Sequence, residues 1–321
     1  VQSRHWLFSE YTRDWLIRDV DSPYVEDLPY DWIQPDIVGG KALLWSGQSW
    51  RWSPMDFLAN LQDGHGADWP IRYEDLAPWY DHVERTIGVS GSLEGLPQLP
   101  DGIFQKPMKM NAAEKVLRDA TAEHFPDRRV IIGRVAILTE PLDGRRRCHY
   151  CGPCERGCYP GAIYCTQSSA LPAARRTGKL TLLPRKQVAS VRHKDGRATG
   201  VRVIDMHTGK TEEYTARVVF MCASAPATVR ILLNSRSPEF PNGIANSSGV
   251  LGHYMLNHNV RLGARGHFDN LSDRYYKGNR PTIVYVPRFR NIDAKSRHPD
   301  FVRGYSLGGR GLREGWQRGS N

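Results

Sequence analysis

Apolar residues recur at three- and four-residue spacing through 69–87, "WPIRYEDLAPWYDHVERTI", where Trp79, Val83 and Ile87 share one stripe and Pro78 is placed in the first turn. The pattern predicts a turn followed by an amphipathic helix whose aromatics enter a core. The same period predicts helices over 4–19, with Trp6, Phe8, Trp15 and Leu16 as contacts, over 111–125 behind an Asn111 cap, and over 166–177. Residues 20–36, rich in Pro and Asp, and 91–109, rich in Gly, Pro and Leu, read as loops. "RRVIIGRVAIL" is a strand candidate. Alternation marks 187–193, 199–206 and 211–215, separated by Asp195-Gly196 and by Thr208-Gly209, which predicts a small antiparallel meander. "RVVFMCA" at 217–223 is continuously apolar, like a buried strand of a parallel sheet, and leads into a turn and helix at "SAPATVRILLNS". Such a junction is where doubly wound folds place ligands. Beyond 258, "NVRLGARGHF" and "PTIVYVPRF" alternate again and predict strands of a second sheet. The pattern is that of an α/β chain with α+β elements.

Composition narrows the class. At 321 residues with 40% hydrophobic content, 9 Trp and 14 Tyr, the chain can bury a large core without disulfide staples. No run approaches the roughly 20 apolar residues of a membrane span. The first residues lack both Met and a signal-peptide core, and the last supply neither a helix stop nor a strand end. The expectation is a soluble fragment lacking both ends. Net charge is +10, yet residues 1–100 carry 7 Lys/Arg against 16 Asp/Glu, and the remainder 37 against 18. The basic residues are scattered among Gly, Tyr and Phe rather than gathered in a helical stripe, which argues against nucleic acid as the partner.

Four of the six cysteines fall in "CHYCGPCERGC", where Cys148, Cys151, Cys154 and Cys158 have the spacing C-x2-C-x2-C-x3-C, followed closely by Pro160. That is the bacterial ferredoxin run with one residue inserted before the proline. Soft thiolates select iron–sulfur or zinc over magnesium or calcium. Zinc more often joins two separated pairs, so an iron–sulfur cluster is the first reading, zinc the second and free or redox thiols the third. Two disulfides in so short a segment would close very small loops. Cys165 and Cys222 are reserve ligands, Cys222 reading more simply as a small buried apolar residue.

The segment "DIVGGKALLWSGQSWRWSPMDF" at 36–57 has adjacent glycines, which let a backbone approach a ligand closely or adopt positive φ; an ordinary glycine turn is the plainer reading. With the cysteine run and the segments that follow, this stretch resembles the middle of a glucose-methanol-choline (GMC) family flavoprotein oxidoreductase. The likeness is to the bacterial sugar and alcohol dehydrogenase branch with a cysteine-bound iron–sulfur cluster, and it covers roughly residues 30–262. It implies a partial FAD-binding Rossmann-like fold with an antiparallel-sheet substrate domain. "VGGKALLWSGQSW" looks like the family's flavin loop, implicating Gly39, Gly40, Leu44, Trp45 and Gly47 in FAD contact, although Lys41 stands where the family usually has Ser or Thr. "KQVASV" looks like the adenine-contacting strand, with Val188 at the matching position. "VVFMCASAPATVRILLNS" resembles the return strand and helix, implicating Ala223 and Ser224.

The resemblance divides the chain into an FAD-domain insertion with the flavin loop (1–147), a cysteine segment and helix (148–178), a meander with return strand and helix (179–257), and the start of a substrate domain (258–321). It implies oxidation of a CH–OH group on a sugar or other alcohol, with electrons passed from flavin through the cluster to an acceptor such as a cytochrome subunit. A small accessory subunit is a further implied partner, and the compartment is bacterial cytoplasm or periplasm. Neither the family's opening G-x-G-x-x-G nor its closing catalytic histidine is present in these residues, and His253 and His258 are not assigned as the base. Two rival readings stand beside this one: a GMC flavoprotein with structural zinc, and a metal-knuckle nucleic-acid-binding module.

Overall fold

A computed structural model describes residues 12–30, 32–152, 154, 158–256, 262–271 and 281–312. In chain order its main elements are α1 (Pro54–Asp63), α2 (Tyr73–Ile87), α3 (Ala112–His124), β1 (Ile131–Ile132), α4 (Ala170–Arg176), β2 (Lys186–Lys194), β3 (Arg197–Asp205), β4 (Thr211–Thr215), α5 (Ala225–Asn234), β5 (Val284–Val286) and β6 (Leu307–Gly309). The chain separates into two compact units, one of residues 1–179 with 267–321 and one of 180–266. No helix among the described residues is long and apolar enough to cross a membrane.

The first unit holds an antiparallel sheet ordered β1-β5-β6. Its core gathers Met108, Ile132, Val135, Ile137, Leu138 and Ala162. Helix α3 begins at Asn111 because the Asn111 Oδ1 accepts the Glu114 N–H at 3.0 Å while Glu114 Oε2 accepts the Asn111 N–H at 2.9 Å. This reciprocal cap satisfies two amides that have no partner within the helix. Replacing Asn111 by alanine is expected to lower stability by about 1 kcal/mol, seen as a lower urea midpoint at unchanged slope.

Helix α2 departs from its apolar stripe. It starts at Tyr73, which puts Pro78 in the interior rather than the first turn. Trp79 and Val83 are 66% and 48% exposed, whereas the charged Glu84 is buried. The ion pair of Glu84 with buried Arg51 fixes which face turns inward, so charge pairing overrides the stripe.

The expected helix over 4–19 is not continued in its described part. Residues up to 11 lie outside the described residues, and Arg13–Trp15 form a single 3-10 turn. Leu16 is extended and bridges Pro35, and the Ile17 N–H donates to Gln34 O at 2.8 Å. Pairing with 34–36 takes the backbone groups that a helix would use. "RRVIIGRVAIL" yields the two-residue β1 and then isolated bridges from Val135 and Ile137.

The second unit contains the meander in the predicted order, with β2, β3 and β4 paired antiparallel. Asp195 and Gly196 both have positive φ, as the tight turn demands. Lys186 Nζ donates to Asp205 Oδ2 at 2.5 Å and to Glu212 Oε1 at 2.6 Å, tying the three strands together. Helix α5 packs on β2, where the Val191 N–H donates to Ser235 Oγ at 2.8 Å.

The continuous strand expected at 217–223 does not form, and both sheets of the described residues are antiparallel. Val218 and Phe220 are 64% and 83% exposed. A fully apolar run becomes a strand only where neighbours accept its backbone hydrogen bonds, and no described strand pairs with it. Of "NVRLGARGHF", residues 259–261 lie outside the described residues, and the rest is irregular; "PTIVYVPRF" supplies β5.

Candidate functional site

Residues 134–138 join the two motifs that stand out in the sequence. On one side, Gly47 O accepts the Ala136 N–H at 2.7 Å and Arg134 O accepts the Ser49 N–H at 2.9 Å, with Gln48 bridged to Val135. On the other, the Leu138 N–H donates to Ala162 O at 3.0 Å, Leu138 O accepts the Cys148 N–H at 2.8 Å, and Ile137 bridges Ile163. Val135, Ile137 and Leu138 are fully buried. A buried apolar run therefore anchors the glycine loop and the cysteine segment, which are about a hundred residues apart in the chain.

In the glycine loop, Gly39 and Gly40 have φ of 107° and 54°, conformations that disfavour any residue with a Cβ. They open a short 3-10 turn, Gly40–Leu43. A Cβ on Gly39 would stand 2.4 Å from the Gln167 side chain, whose Nε2 donates to Val38 O. A Cβ on Gly40 would meet nothing within 4 Å, so the backbone is open on that side at Gly40. Leu44 is buried, and Trp45 Nε1 donates to Tyr164 O at 2.8 Å with the two rings edge to face. Lys41 is exposed. A backbone open at Gly40, with Trp45 tied to Tyr164 and Gln167 tied to Val38, fits a flat or phosphate-bearing cofactor laid against it.

Cys148 and Cys158 pack against the core from the cysteine segment. The Tyr150 N–H donates to Cys148 Sγ and the Ile163 N–H to Cys158 Sγ, each at 3.4 Å. Burial raises the Cys148 thiol above its usual value, the Tyr150 amide opposes this, and neighbouring Cys158 and Cys151 add to the rise. Cys151 is exposed, and Cys154 is partly buried with its N–H donated to Gly152 O at 2.8 Å. Among the described residues no three His, Cys, Asp or Glu side chains are set to hold a metal ion. The donors have the right chemistry for iron–sulfur or zinc, but the preassembled four-thiol geometry implied by the spacing is not met. Tyr150 and Gly152, both with positive φ, turn the chain between Cys148 and Cys154.

Two arginines that the sequence reading passed over brace this region. Arg134 is fully buried; its Nη2 donates to Asp101 Oδ1 at 2.7 Å, its Nη1 to Pro100 O at 2.5 Å, and its guanidinium lies over Phe104. Arg145 is 3% exposed, donates from Nη2 to Ile87 O at 2.8 Å and covers the Tyr164 ring at 5.7 Å. Burial holds the Arg145 guanidinium below its ordinary value, opposed by Asp143, Tyr164 and Cys165. An arginine inside an apolar run, as in "VIIGRVAIL", is the signal that marks Arg134 as a buried brace.

Val188, Ala223 and Ser224 belong to the second unit. Val188 pairs with Val203 across β2 and β3. Ala223 is exposed, and Ser224 precedes α5 with φ of 72°. A non-glycine residue in that conformation carries strain, a feature that gathers at ligand-binding turns.

Residues 135–260 match the family model of the GMC oxidoreductases. The chain is 31% identical over 319 residues to the 2-methyl-1,2-propanediol dehydrogenase of Mycolicibacterium austroafricanum, covering 92% of this chain and 55% of that protein. It is 26% identical over 273 residues to the fructose dehydrogenase large subunit of Gluconobacter japonicus, covering 84% of this chain and 49% of that protein. To the paromamine 6'-oxidase of Streptomyces fradiae it is 31% identical over 248 residues, 74% of this chain and 43% of that protein. The chain thus spans about half the length of the curated relatives it matches. The matched segment begins in the buried run that carries both motifs and, with these relatives, shows that the chain belongs to the GMC oxidoreductase family.

Proposed function

We propose that this chain is the flavin-loop and cysteine-bearing portion of an FAD-dependent dehydrogenase acting on CH–OH groups of a sugar or other alcohol. The observation that carries the reading is the uncovered backbone at Gly40, in a loop fixed to the same buried run as the cysteine segment. Bound there, FAD would supply hydride acceptance from the alcohol carbon, while the protein supplies orientation and exclusion of water. Gly39, Gly40, Leu44, Trp45 and Gly47 are the proposed flavin residues of the loop, with the open backbone at Gly40 giving close approach; Val188, Ala223 and Ser224 are proposed for FAD contact on the family resemblance alone. Relatives named for 2-methyl-1,2-propanediol, fructose and paromamine support an alcohol substrate.

Cys148, Cys151, Cys154 and Cys158 are proposed to take an iron–sulfur cluster, with zinc as the alternative. The amides already donated to Cys148 Sγ and Cys158 Sγ are the kind of donor that cluster-bound sulfur accepts. An acceptor outside the chain, such as a cytochrome subunit, follows from that reading.

Anaerobically purified full-length protein is expected to show a flavin spectrum that bleaches with a sugar or diol, and roughly three or four irons per chain with matching acid-labile sulfide. Cys148→Ser and Cys158→Ser are expected to lose most of the iron and keep the flavin. One zinc without sulfide would end the cluster reading, and absence of flavin would end the whole proposal.

A further inference from the structure

Beside the core of the first unit lies a cavity of about 520 Å³ whose charge is one-sided. Lys109, Lys115, Arg118, Arg128 and Arg129 line it with one lining carboxylate, Glu94; outside the lining, Asp119 holds Arg118 at 2.8 Å and Asp127 stands 3.7 Å from Arg128. Glu94 already accepts a hydrogen bond from Ser92 Oγ, and Arg129 Nη1 donates to the Glu94 backbone carbonyl at 3.0 Å. The floor is apolar, with Met108, Val130, Ile131 and Ile132 buried beneath the rim of cations.

We propose that this cavity is a binding site for a small anionic molecule with an apolar body, such as a carboxylate, sulfonate or phosphate on an aromatic or aliphatic frame. The inference is independent of the flavin reading, because none of the proposed flavin or thiol residues lines the cavity. The second observation behind it is Arg128. Its guanidinium lies 4.4 Å from the ring centres of both Phe125 and Phe289, which fixes its position before any ligand arrives. Its Nε makes no hydrogen bond among the described residues, and the carboxylate oxygen Asp127 Oδ1 stands 3.7 Å away, beyond bonding distance. A buried charged donor without an acceptor is costly, and an entering anion would relieve that cost.

Shape and charge together select the ligand class. The volume lies within the roughly 300–1,000 Å³ of small-molecule sites. Lys115 and Arg118 project from one face of α3, with Ala122 one turn further along, so the helix offers a basic edge above a smooth apolar wall. A compact polyanion would leave the apolar floor in water, and a neutral apolar compound would gain nothing from the cations.

The test is calorimetric titration of the full-length protein with naphthalene-1-sulfonate and, separately, with neutral naphthalene-1-methanol. The sulfonate is expected to bind on the order of tenfold more tightly than the alcohol at low salt, with the advantage shrinking as salt is raised. Lys115→Glu with Arg118→Glu, two exposed positions on α3, is expected to weaken sulfonate binding by about tenfold or more at unchanged helicity. Lys115→Arg with Arg118→Lys, which keeps both charges, is expected to retain it. Equal affinity for the two probes, no binding of the sulfonate, or indifference to the charge reversal would overturn the proposal.

Discussion

Glu84→Ala is expected to destabilise the full-length protein by about 3 kcal/mol, read from the urea midpoint, because it removes the two-pronged partner of buried Arg51 and leaves only the partly exposed Asp81 to answer its charge. The Arg51 and Glu84 side chains are only 4% and 6% exposed. Arg51 Nε donates to Glu84 Oε1 at 2.8 Å and Nη2 to Glu84 Oε2 at 2.5 Å, a two-pronged bond. Arg51 Nη1 also donates to the Tyr73 hydroxyl, and Nη2 to Asp81. Burial alone would push the Arg51 guanidinium down, but these bonds from Glu84, Asp81 and Tyr73 more than offset it, and the group stays charged. Glu84 Oε2 accepts the Ile103 N–H at 2.8 Å too, so a loop amide loses its partner with the same substitution.

The pair also reaches the candidate site. Arg51 stands four residues after Gly47, so releasing it frees the segment that carries the glycine loop, and if that loop binds the proposed FAD, flavin affinity is expected to fall along with stability. Arg51→Met with Glu84→Leu removes both charges at similar volume and is expected to recover much of the lost stability. If the double variant is as unstable as Glu84→Ala, the cost lies in the lost Ile103 contact and not in the weakened pairing of Arg51.

How much of this was legible in the sequence depends on where the deciding interaction lies. The meander could be read because Asp195-Gly196 and Thr208-Gly209 set turns between alternating runs, a signal confined to a few neighbouring residues. Helix α3 could be read for the same reason, since Asn111 and Glu114 satisfy each other locally. The inward face of α2 could not, because its partner Arg51 lies 33 residues away and the exposed Trp79 and Val83 imitate a core stripe. The run at 217–223 misled in the same way: continuous apolarity states what a strand would need around it, and its Phe220 is left exposed. At the candidate site, the glycine conformations at 39 and 40 were anticipated from residue type. The backing of that loop by Gln167, Tyr164 and Ala136 was not, since each contact spans about ninety residues or more.

Leu138→Ala is the second large effect. Leu138 is fully buried in the cluster with Ile137, Val135 and Ala162, against which Cys148 and Cys158 pack. Truncation removes buried methyl groups and leaves a cavity the surroundings fill only in part, with an expected loss of about 3–5 kcal/mol. Neighbouring chain limits collapse: a Cβ placed on Gly88, at the end of α2, would stand 2.2 Å from Leu138 Cδ2, so the leucine fills the space left by that glycine. Because Leu138 O holds the Cys148 N–H, a loosened core also loosens the start of the cysteine segment. If the cysteines bind the proposed metal, the variant is therefore expected to lose it more readily to a chelator than Asn111→Ala does, even under conditions where both remain folded by circular dichroism. Equal metal retention in the two variants would mean that the thiols are positioned by their own loop, with the buried run serving stability alone.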